Sequence, residues 1–131
     1  MYLLDTNILI YLLKQRPPSV LQKFETLEPS SVAMSVISLG ELEYGAAKSQ
    51  NSEQAFGVIQ QLLLSVPALP MSADTATQYG DIRSQLTKQG NMIGNNDLWI
   101  AAHAKALGWI LVSNNVREFE RVEGLELENW V

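Results

Sequence analysis

Apolar residues recur along the chain in two different spacings. Short apolar runs of strand length occur at 2–4, 32–36 and 109–113. Between these runs, apolar residues repeat every three or four positions, as in the series Phe56, Ile59, Leu62 and Leu63, which is typical of one face of a helix. Strands that alternate with helices predict an α/β fold in three layers, with a mostly parallel central sheet.

The predicted elements follow from these patterns together with turn and cap signals. We predict strands at 2–4, 32–36 and 109–113, a short extended piece at 67–70 and a last edge strand at 125–130. We predict helices at 7–14, 19–27, 38–49, 72–89 and 97–107, a further helix that begins at 51–52, and a short helix after 114. Pro17 and Pro18 end the first helix, and Gly90 and Gly108 close two later ones.

The helix after the second strand carries its own start signal. Ser38 is followed three residues later by Glu41, a spacing that fits a capping box. We therefore expect this helix to begin at Ser38, with Glu41 in its first turn.

Length and composition favour one globular domain covering residues 1–131. Hydrophobic residues make up 47% of the 131 positions and charged residues 18%, which is ordinary for a folded domain of this size. The chain has no cysteine, so disulfides and thiolate metal sites are excluded. No apolar run approaches the roughly 18 residues that span a membrane, and no secretory leader precedes Asp5. We therefore expect a cytoplasmic protein without membrane attachment.

The formal net charge is −5. This charge counts against a simple nucleic-acid-binding module, because such modules are usually basic. It is compatible with an enzyme that acts on nucleic acid, since carboxylates gathered around a divalent cation lower the net charge and still serve a phosphate substrate.

Several acidic residues lie just after predicted strands or at the start of predicted helices. Asp5 follows the first strand, Glu41 follows the second, and Asp97 begins the helix before the last long strand. Asn115 and Glu118 come after that strand. If the sheet is parallel, all of them lie at one edge of it. Oxygen ligands without cysteine point to Mg²⁺ or Mn²⁺, and the chemistry expected there is metal-assisted attack of water on a phosphodiester.

Each of these residues also has a purely structural interpretation. Asp5 could cap the helix that follows it, and Glu41 could belong only to the capping box. Asp97 could favour the positive end of its helix, and Glu118 could be a solvated surface acid. The single histidine, His103, lies among alanines, where a packed or hydrogen-bonded imidazole is the usual role.

Four segments of the chain form an ordered series of motifs. They are Leu3–Asn7, Ser38–Gly45, Ile93–Ala104 and Leu111–Asn115 with Arg117–Phe119. In order and spacing, these segments resemble the successive motifs of the PIN domain and, more narrowly, those of the VapC toxins of type II toxin–antitoxin systems. This resemblance implies a PIN-like α/β/α sandwich and a Mg²⁺-dependent endoribonuclease, in which Mn²⁺ would substitute for Mg²⁺.

The resemblance also implies roles for particular residues. Asp5, Glu41 and Asp97 fall on the family's acidic triad, with Asp5 and Asp97 as direct metal ligands and Glu41 as a ligand or water-orienting group. The fourth family position is commonly Asp, but here Asn115 lies near it and Glu118 is the nearest acid. These two residues are candidates for a second metal or a supporting role. The candidates for substrate positioning are Thr6, Asn7 and Ser113.

The family further implies partners. These are an RNA substrate, a second copy of the chain in a homodimer, and a cognate antitoxin whose C-terminal segment blocks the active site. Part of the family cleaves tRNA, including initiator tRNA, and this chain resembles that part in the segments around Ser113 and Glu118.

Two other functions compete with the ribonuclease. A phosphatase of the haloacid-dehalogenase type also begins with an apolar strand and Asp, but it needs a second Asp two residues later, where this chain has Asn7. A PIN-like domain without catalysis could serve as a binding module. The joint presence of Asp5, Glu41 and Asp97 argues against that alternative.

Overall fold

The fold is a five-stranded parallel sheet with helices on both faces. A computed structural model describes residues 1–131. The strands are β1 (Tyr2–Leu4), β2 (Val32–Ser35), β3 (Ala68–Leu69), β4 (Ile110–Val112) and β5 (Leu127–Glu128). They lie in the order β3-β2-β1-β4-β5, and every neighbouring pair is parallel. The predicted three-layer α/β architecture is confirmed, and β1 is its central strand.

Seven helices connect the strands. They are α1 (Thr6–Lys14), α2 (Pro18–Glu25), α3 (Val36–Ala47), α4 (Ser52–Ser65), α5 (Ala73–Lys88), α6 (Asn95–Leu107) and α7 (Val116–Phe119). A single 3₁₀ turn, Pro29–Ser31, precedes β2. None of these helices is long and apolar enough to cross a membrane.

Alternation along β1 divides the core into two halves. Leu3 and Leu4 are both fully buried, but successive strand residues point to opposite faces of a sheet. Leu4 belongs to a cluster formed with α1 to α4, whereas Leu3 belongs to a cluster formed with α5, α6 and α7. The two clusters form the hydrophobic core, one on each face of the sheet. Both include residues of β1 and β4, and the first also includes residues of β2.

The predicted start of α3 is wrong. The helix begins at Val36, and its N-cap is Ser35, whose side chain accepts a hydrogen bond from the backbone N–H of Ile37 at 3.1 Å. Ser38 is instead a buried residue inside the first turn. Ser35 and Ser38 are equally able to accept from the first free N–H groups of a helix. The capping-box spacing of Ser38 and Glu41 was therefore coincidental. Val36 belongs to the helix and not to the strand.

Other boundaries moved by one or two residues. Helix α6 begins at Asn95 and not at Asp97, so that Asp97 lies in its first turn. The last strand is shorter than the predicted 125–130 range, but it does form an edge of the sheet. Gly108 closes α6 with φ +69°, and Gly90 follows α5 with φ +64°, backbone conformations that glycine adopts without strain.

Candidate active site

The carboxyl end of β1 places Asp5 at the centre of the site. Asp5 is 4% exposed. Its Oδ1 atom accepts from the backbone N–H of Thr6 at 2.8 Å, and its Oδ2 atom accepts from the hydroxyl of Ser113 at 2.8 Å. Asp5 therefore caps α1, as its structural interpretation predicts, and at the same time presents a buried carboxylate at the edge where β1 and β4 end.

Glu41 is joined to this centre through Thr6. The Thr6 hydroxyl donates to Glu41 Oε1 at 2.7 Å and lies 3.0 Å from the hydroxyl oxygen of Ser38. Thr6 is the first residue of α1, and Glu41 lies in the second turn of α3. One hydroxyl thus ties the two helices together and fixes the direction of the Glu41 carboxylate.

The segment after β4 supplies the third side of the site. The Ser113 hydroxyl oxygen accepts from the backbone N–H of Asn115 at 2.9 Å, while its own proton goes to Asp5. The Asn115 side-chain amide donates to Glu118 Oε2 at 3.1 Å. Asn115 and Glu118 are therefore a hydrogen-bonded pair, and Glu118 is the member that acts on Asp97.

Asp97 experiences the combined charge of the other acids. Burial, the negative charge of Asp5, and the hydrogen bond and charge of Glu118 raise its pKa from the ordinary value near 3.8 to about 7, with a further contribution from Glu41. Burial also raises the pKa of Asp5, although the hydrogen bonds from Ser113 and Thr6 oppose this change. Like charges in a partly buried site disfavour ionisation unless a cation compensates them.

The structure therefore brings Asp5, Glu41 and Glu118 within electrostatic reach of Asp97. It does not gather three of them tightly enough to share one ion directly. The donor set nevertheless fits a hard divalent cation: all ligand atoms are oxygens, the acids repel one another, and Mg²⁺ commonly takes only one or two carboxylates and keeps several waters. Asp5 and Asp97 can meet that requirement as a pair.

The predicted positioning residues have different surroundings. Ser113 is fully buried, so its side chain orients Asp5. Thr6 is half-buried and orients Glu41. Asn7 is exposed, and its role stays a prediction.

His103 has the structural role expected of a buried histidine. It is 1% exposed, and its Nδ1 atom lies 2.8 Å from the hydroxyl oxygen of Ser35. Burial lowers the pKa of His103, and the backbone of Pro70 opposes this only in part. Its Nε2 atom makes no hydrogen bond within normal geometry, so the contact with Pro70 is weak. The Ser35 hydroxyl accepts from Ile37, which leaves its proton for a neutral imidazole.

A polar and aromatic group beside Asp97 was not anticipated from the sequence. The Tyr79 hydroxyl donates to Asn95 Oδ1 at 2.6 Å and accepts from Arg83 Nη1 at 2.7 Å. The Tyr79 ring stacks on Trp99, with ring centroids 3.8 Å apart. These contacts connect α5 to the first turn of α6 and hold the backbone that carries Asp97. The spacing of Tyr79 and Arg83, one helical turn, was the signal available in the sequence.

A group of acids lies at the carboxyl edge of this parallel α/β sheet. The family model described as PIN domain matches residues 2–125, and the chain belongs to the PIN-domain family. Nucleases of this family are metal-dependent in general.

Individual relatives narrow this class to the VapC ribonucleases. The chain is 47% identical to Ribonuclease VapC2 of Haemophilus influenzae over 130 residues, with 99% of this chain and 98% of that protein covered. It is 43% identical to the tRNA(fMet)-specific endonuclease VapC of Shigella flexneri, with 98% and 97% covered. It also superimposes on a chain in the crystal structure of VapBC2 from Rickettsia felis bound to a DNA fragment from their promoter, with a TM-score of 0.92, 40% identity, and 99% and 98% covered.

Proposed function

We propose that this chain is a Mg²⁺-dependent endoribonuclease, the toxin of a type II toxin–antitoxin system, and that it hydrolyses tRNA in the cytoplasm. The observation that carries the proposal is the meeting of Asp5, Glu41 and Asp97 at one edge of the sheet, with a pKa of about 7 for Asp97. An uncompensated group of acids is destabilising, and a site for a cation and a phosphodiester explains why it exists. The naming of the Shigella flexneri relative supports tRNA as the substrate.

Asp5 and Asp97 would hold the divalent ion. When bound, such an ion would polarise an oxygen of the phosphodiester and make a bound water more acidic. Mn²⁺ offers the same preference for oxygen ligands, so we expect it to substitute.

The remaining residues prepare the carboxylates for this task. Thr6 directs Glu41 through a 2.7 Å hydrogen bond, and Glu41 would orient the attacking water or accept its proton. Ser113 donates to Oδ2 of Asp5, which favours the ionised carboxylate and opposes the rise in its pKa that burial causes. Asn115 restrains Glu118 beside Asp97. The pair Asn115 and Glu118 would therefore support the first ion or hold a second one.

The resemblance to toxin–antitoxin proteins supports two protein partners, a cognate antitoxin and a second copy of the chain. The solved relative from Rickettsia felis is a VapBC2 structure. Size-exclusion chromatography with light scattering, on the chain alone and with its antitoxin, tests both. A monomer at all accessible concentrations would remove the homodimer from the proposal.

The catalytic proposal is tested by RNA cleavage with the purified full chain, freed of any co-purifying protein. Total RNA and tRNA are incubated with Mg²⁺, with Mn²⁺ and with EDTA, and fragment ends are mapped. We expect discrete fragments that require metal and that disappear in Asp5→Asn and Asp97→Asn. The matched control is Asp81→Asn, because Asp81 is exposed on α5 and outside the acid cluster. Cleavage that survives both active-site substitutions would refute the proposal, and binding of RNA without any cleavage would favour a non-catalytic binding module.

A further inference from the structure

An open depression of about 590 Å³ adjoins the acid cluster. Its walls come from the first half of α3 and from the start of α6. The lining residues are Val36, Ile37, Gly40, Glu41, Tyr44 and Asn96. Because Glu41 is one of the candidate catalytic acids, a group that occupies the depression lies beside the bond that would be cleaved.

Tyr44 is the most exposed residue of this lining and is 68% exposed. Its side chain makes no hydrogen bond, and the ring is not part of either core cluster. Tyr44 lies one helical turn after Gly40 and Glu41, and helical side chains lean towards the N-terminus of their helix. Tyr44 therefore lies on the same side of α3 as Gly40, and both line the depression together with Glu41.

Lys48 adds a positive charge to this face. Its Nζ atom lies 4.9 Å from the centroid of the Tyr44 ring, within the range of a cation–π contact. No acid forms an ion pair with Lys48, since Lys23 and Glu128 make the one ion pair in the structure. In a chain of net charge −5, an unpaired lysine one turn beyond an exposed aromatic ring is suited to a phosphate group.

Gly40 keeps the depression open. A glycine inside a helix is destabilising relative to alanine, yet a Cβ atom at Gly40 would meet nothing within 4 Å. Packing therefore does not require glycine there. The missing side chain leaves free space between Val36 and Tyr44, which occupy the same row of the helix at four-residue spacing.

We propose that Tyr44 is a stacking platform for an unpaired nucleobase of the RNA next to the cleaved bond, with Lys48 binding an adjacent phosphate. This inference rests on the ribonuclease function proposed above. Single-stranded RNA is bound by stacking of bases on aromatic side chains and by cations along the backbone. The apolar walls Val36 and Ile37 fit the flat face of a base, and the Asn96 side chain offers a donor and an acceptor to its edge.

The test compares kcat/KM for tRNA cleavage among variants of the full chain. We expect Tyr44→Ala to lower kcat/KM by about 5- to 150-fold, the range that base stacking on one aromatic side chain accounts for. Tyr44→Phe and Tyr44→Trp should retain activity, because stacking needs the ring and not the hydroxyl. Gly40→Leu should block the depression and lower kcat/KM. Its matched control is Gly57→Leu on α4, where a Cβ also meets nothing within 4 Å and the glycine itself lines no cavity.

A second measurement removes the base instead of the ring. Once the cleaved bond is mapped, a short RNA is made with an abasic nucleotide on each side of it in turn. One of the two should be cut more slowly by the wild-type chain, and Tyr44→Ala should add no further loss on that RNA. Thermal melting of each variant shows whether its fold is intact.

The outcomes separate this inference from the function on which it rests. If the wild-type chain cleaves RNA and Tyr44→Ala has unchanged kcat/KM, the stacking platform is refuted and the ribonuclease stands. If Tyr44→Ala loses activity together with a change of oligomeric state, Tyr44 is a protein contact and the inference is wrong. If the wild-type chain cleaves no RNA at all with added Mg²⁺ or Mn²⁺, the proposed function fails first. Additive losses from the abasic nucleotide and Tyr44→Ala would also overturn the proposal.

Discussion

Replacing Asp97 by asparagine should make the metal-free fold more stable while abolishing cleavage. The pKa of Asp97 is raised from near 3.8 to about 7 by burial and by neighbouring acids. In the unfolded chain the carboxyl ionises near its ordinary value, so the folded state binds more protons between these two pKa values. Wild-type stability therefore falls as the pH rises through this range. Asparagine has the same shape and no charge, and so avoids this loss.

The magnitude follows from the difference between the two pKa values. One pKa unit corresponds to about 1.4 kcal/mol, so the full difference sets an upper value of about 4 kcal/mol at pH 8. Asp97 is only half-buried, and solvent screening reduces this to about 1–2 kcal/mol. At a urea dependence of ~2 kcal/mol per molar, that gain moves the unfolding midpoint by roughly 0.5–1 M.

The assay is urea unfolding with EDTA, followed by tryptophan fluorescence, at several values between pH 8 and pH 4. We expect Asp97→Asn to unfold at higher urea than the wild type at pH 8, and the gap to narrow as the pH falls. Added Mg²⁺ should raise the wild-type midpoint and narrow the gap at pH 8. The control Asp81→Asn should stay within about 0.5 kcal/mol of the wild type, as exposed sites usually do. An Asp97→Asn variant that is less stable than wild type at pH 8 without metal would refute this account.

Three further substitutions test other contacts. His103 has a lowered pKa in the folded state, so the unfolded chain takes up the proton first. Protonation of His103 should therefore lower stability as the pH drops below about 6.5, which opposes the gain from Asp97 in the same range. Because His103→Gln lacks this loss, its unfolding midpoint in urea should rise more between pH 7 and pH 5 than that of the wild type, and an equal change in both proteins would exclude a contribution from His103. Ser113→Ala removes the hydroxyl that donates to Asp5 at 2.8 Å. The free energy of unfolding near neutral pH should fall by about 1.5–3 kcal/mol, the usual contribution of a hydrogen bond to a charged group. A loss below about 0.5 kcal/mol, typical of a surface substitution, would contradict this. Thr6→Val removes the hydroxyl that donates to Glu41 and should lower the cleavage rate roughly 10-fold or more, the factor that corresponds to one hydrogen bond to a charged group. Thr6→Ser keeps the hydroxyl and should retain activity. Equal cleavage rates for the two variants would show that the hydroxyl is not needed.

Local signals were sufficient for most of the fold. Apolar spacing placed four strands and six of the seven helices, because core-facing residues must recur every two or every three to four positions. Pro17, Pro18, Gly90 and Gly108 marked helix ends through their restricted or permissive backbone angles. Asp5 and Glu41 follow parallel strands, and Asp97 lies at the start of the helix that leads into another strand. All three were therefore expected at one edge of the sheet before their positions were known.

The contacts within the site depended on strand order. Central placement of β1 between β2 and β4 lets Ser113 reach Asp5 across 108 positions of the chain, and lets Thr6 reach Glu41 across 35. No local pattern encodes such pairs, because a shift of one residue in strand register would turn each side chain to the other face. The same reason explains the wrong start of α3: Ser35 and Ser38 are equivalent as local caps, and only the tertiary structure directs one to Ile37 and His103 and the other to Thr6.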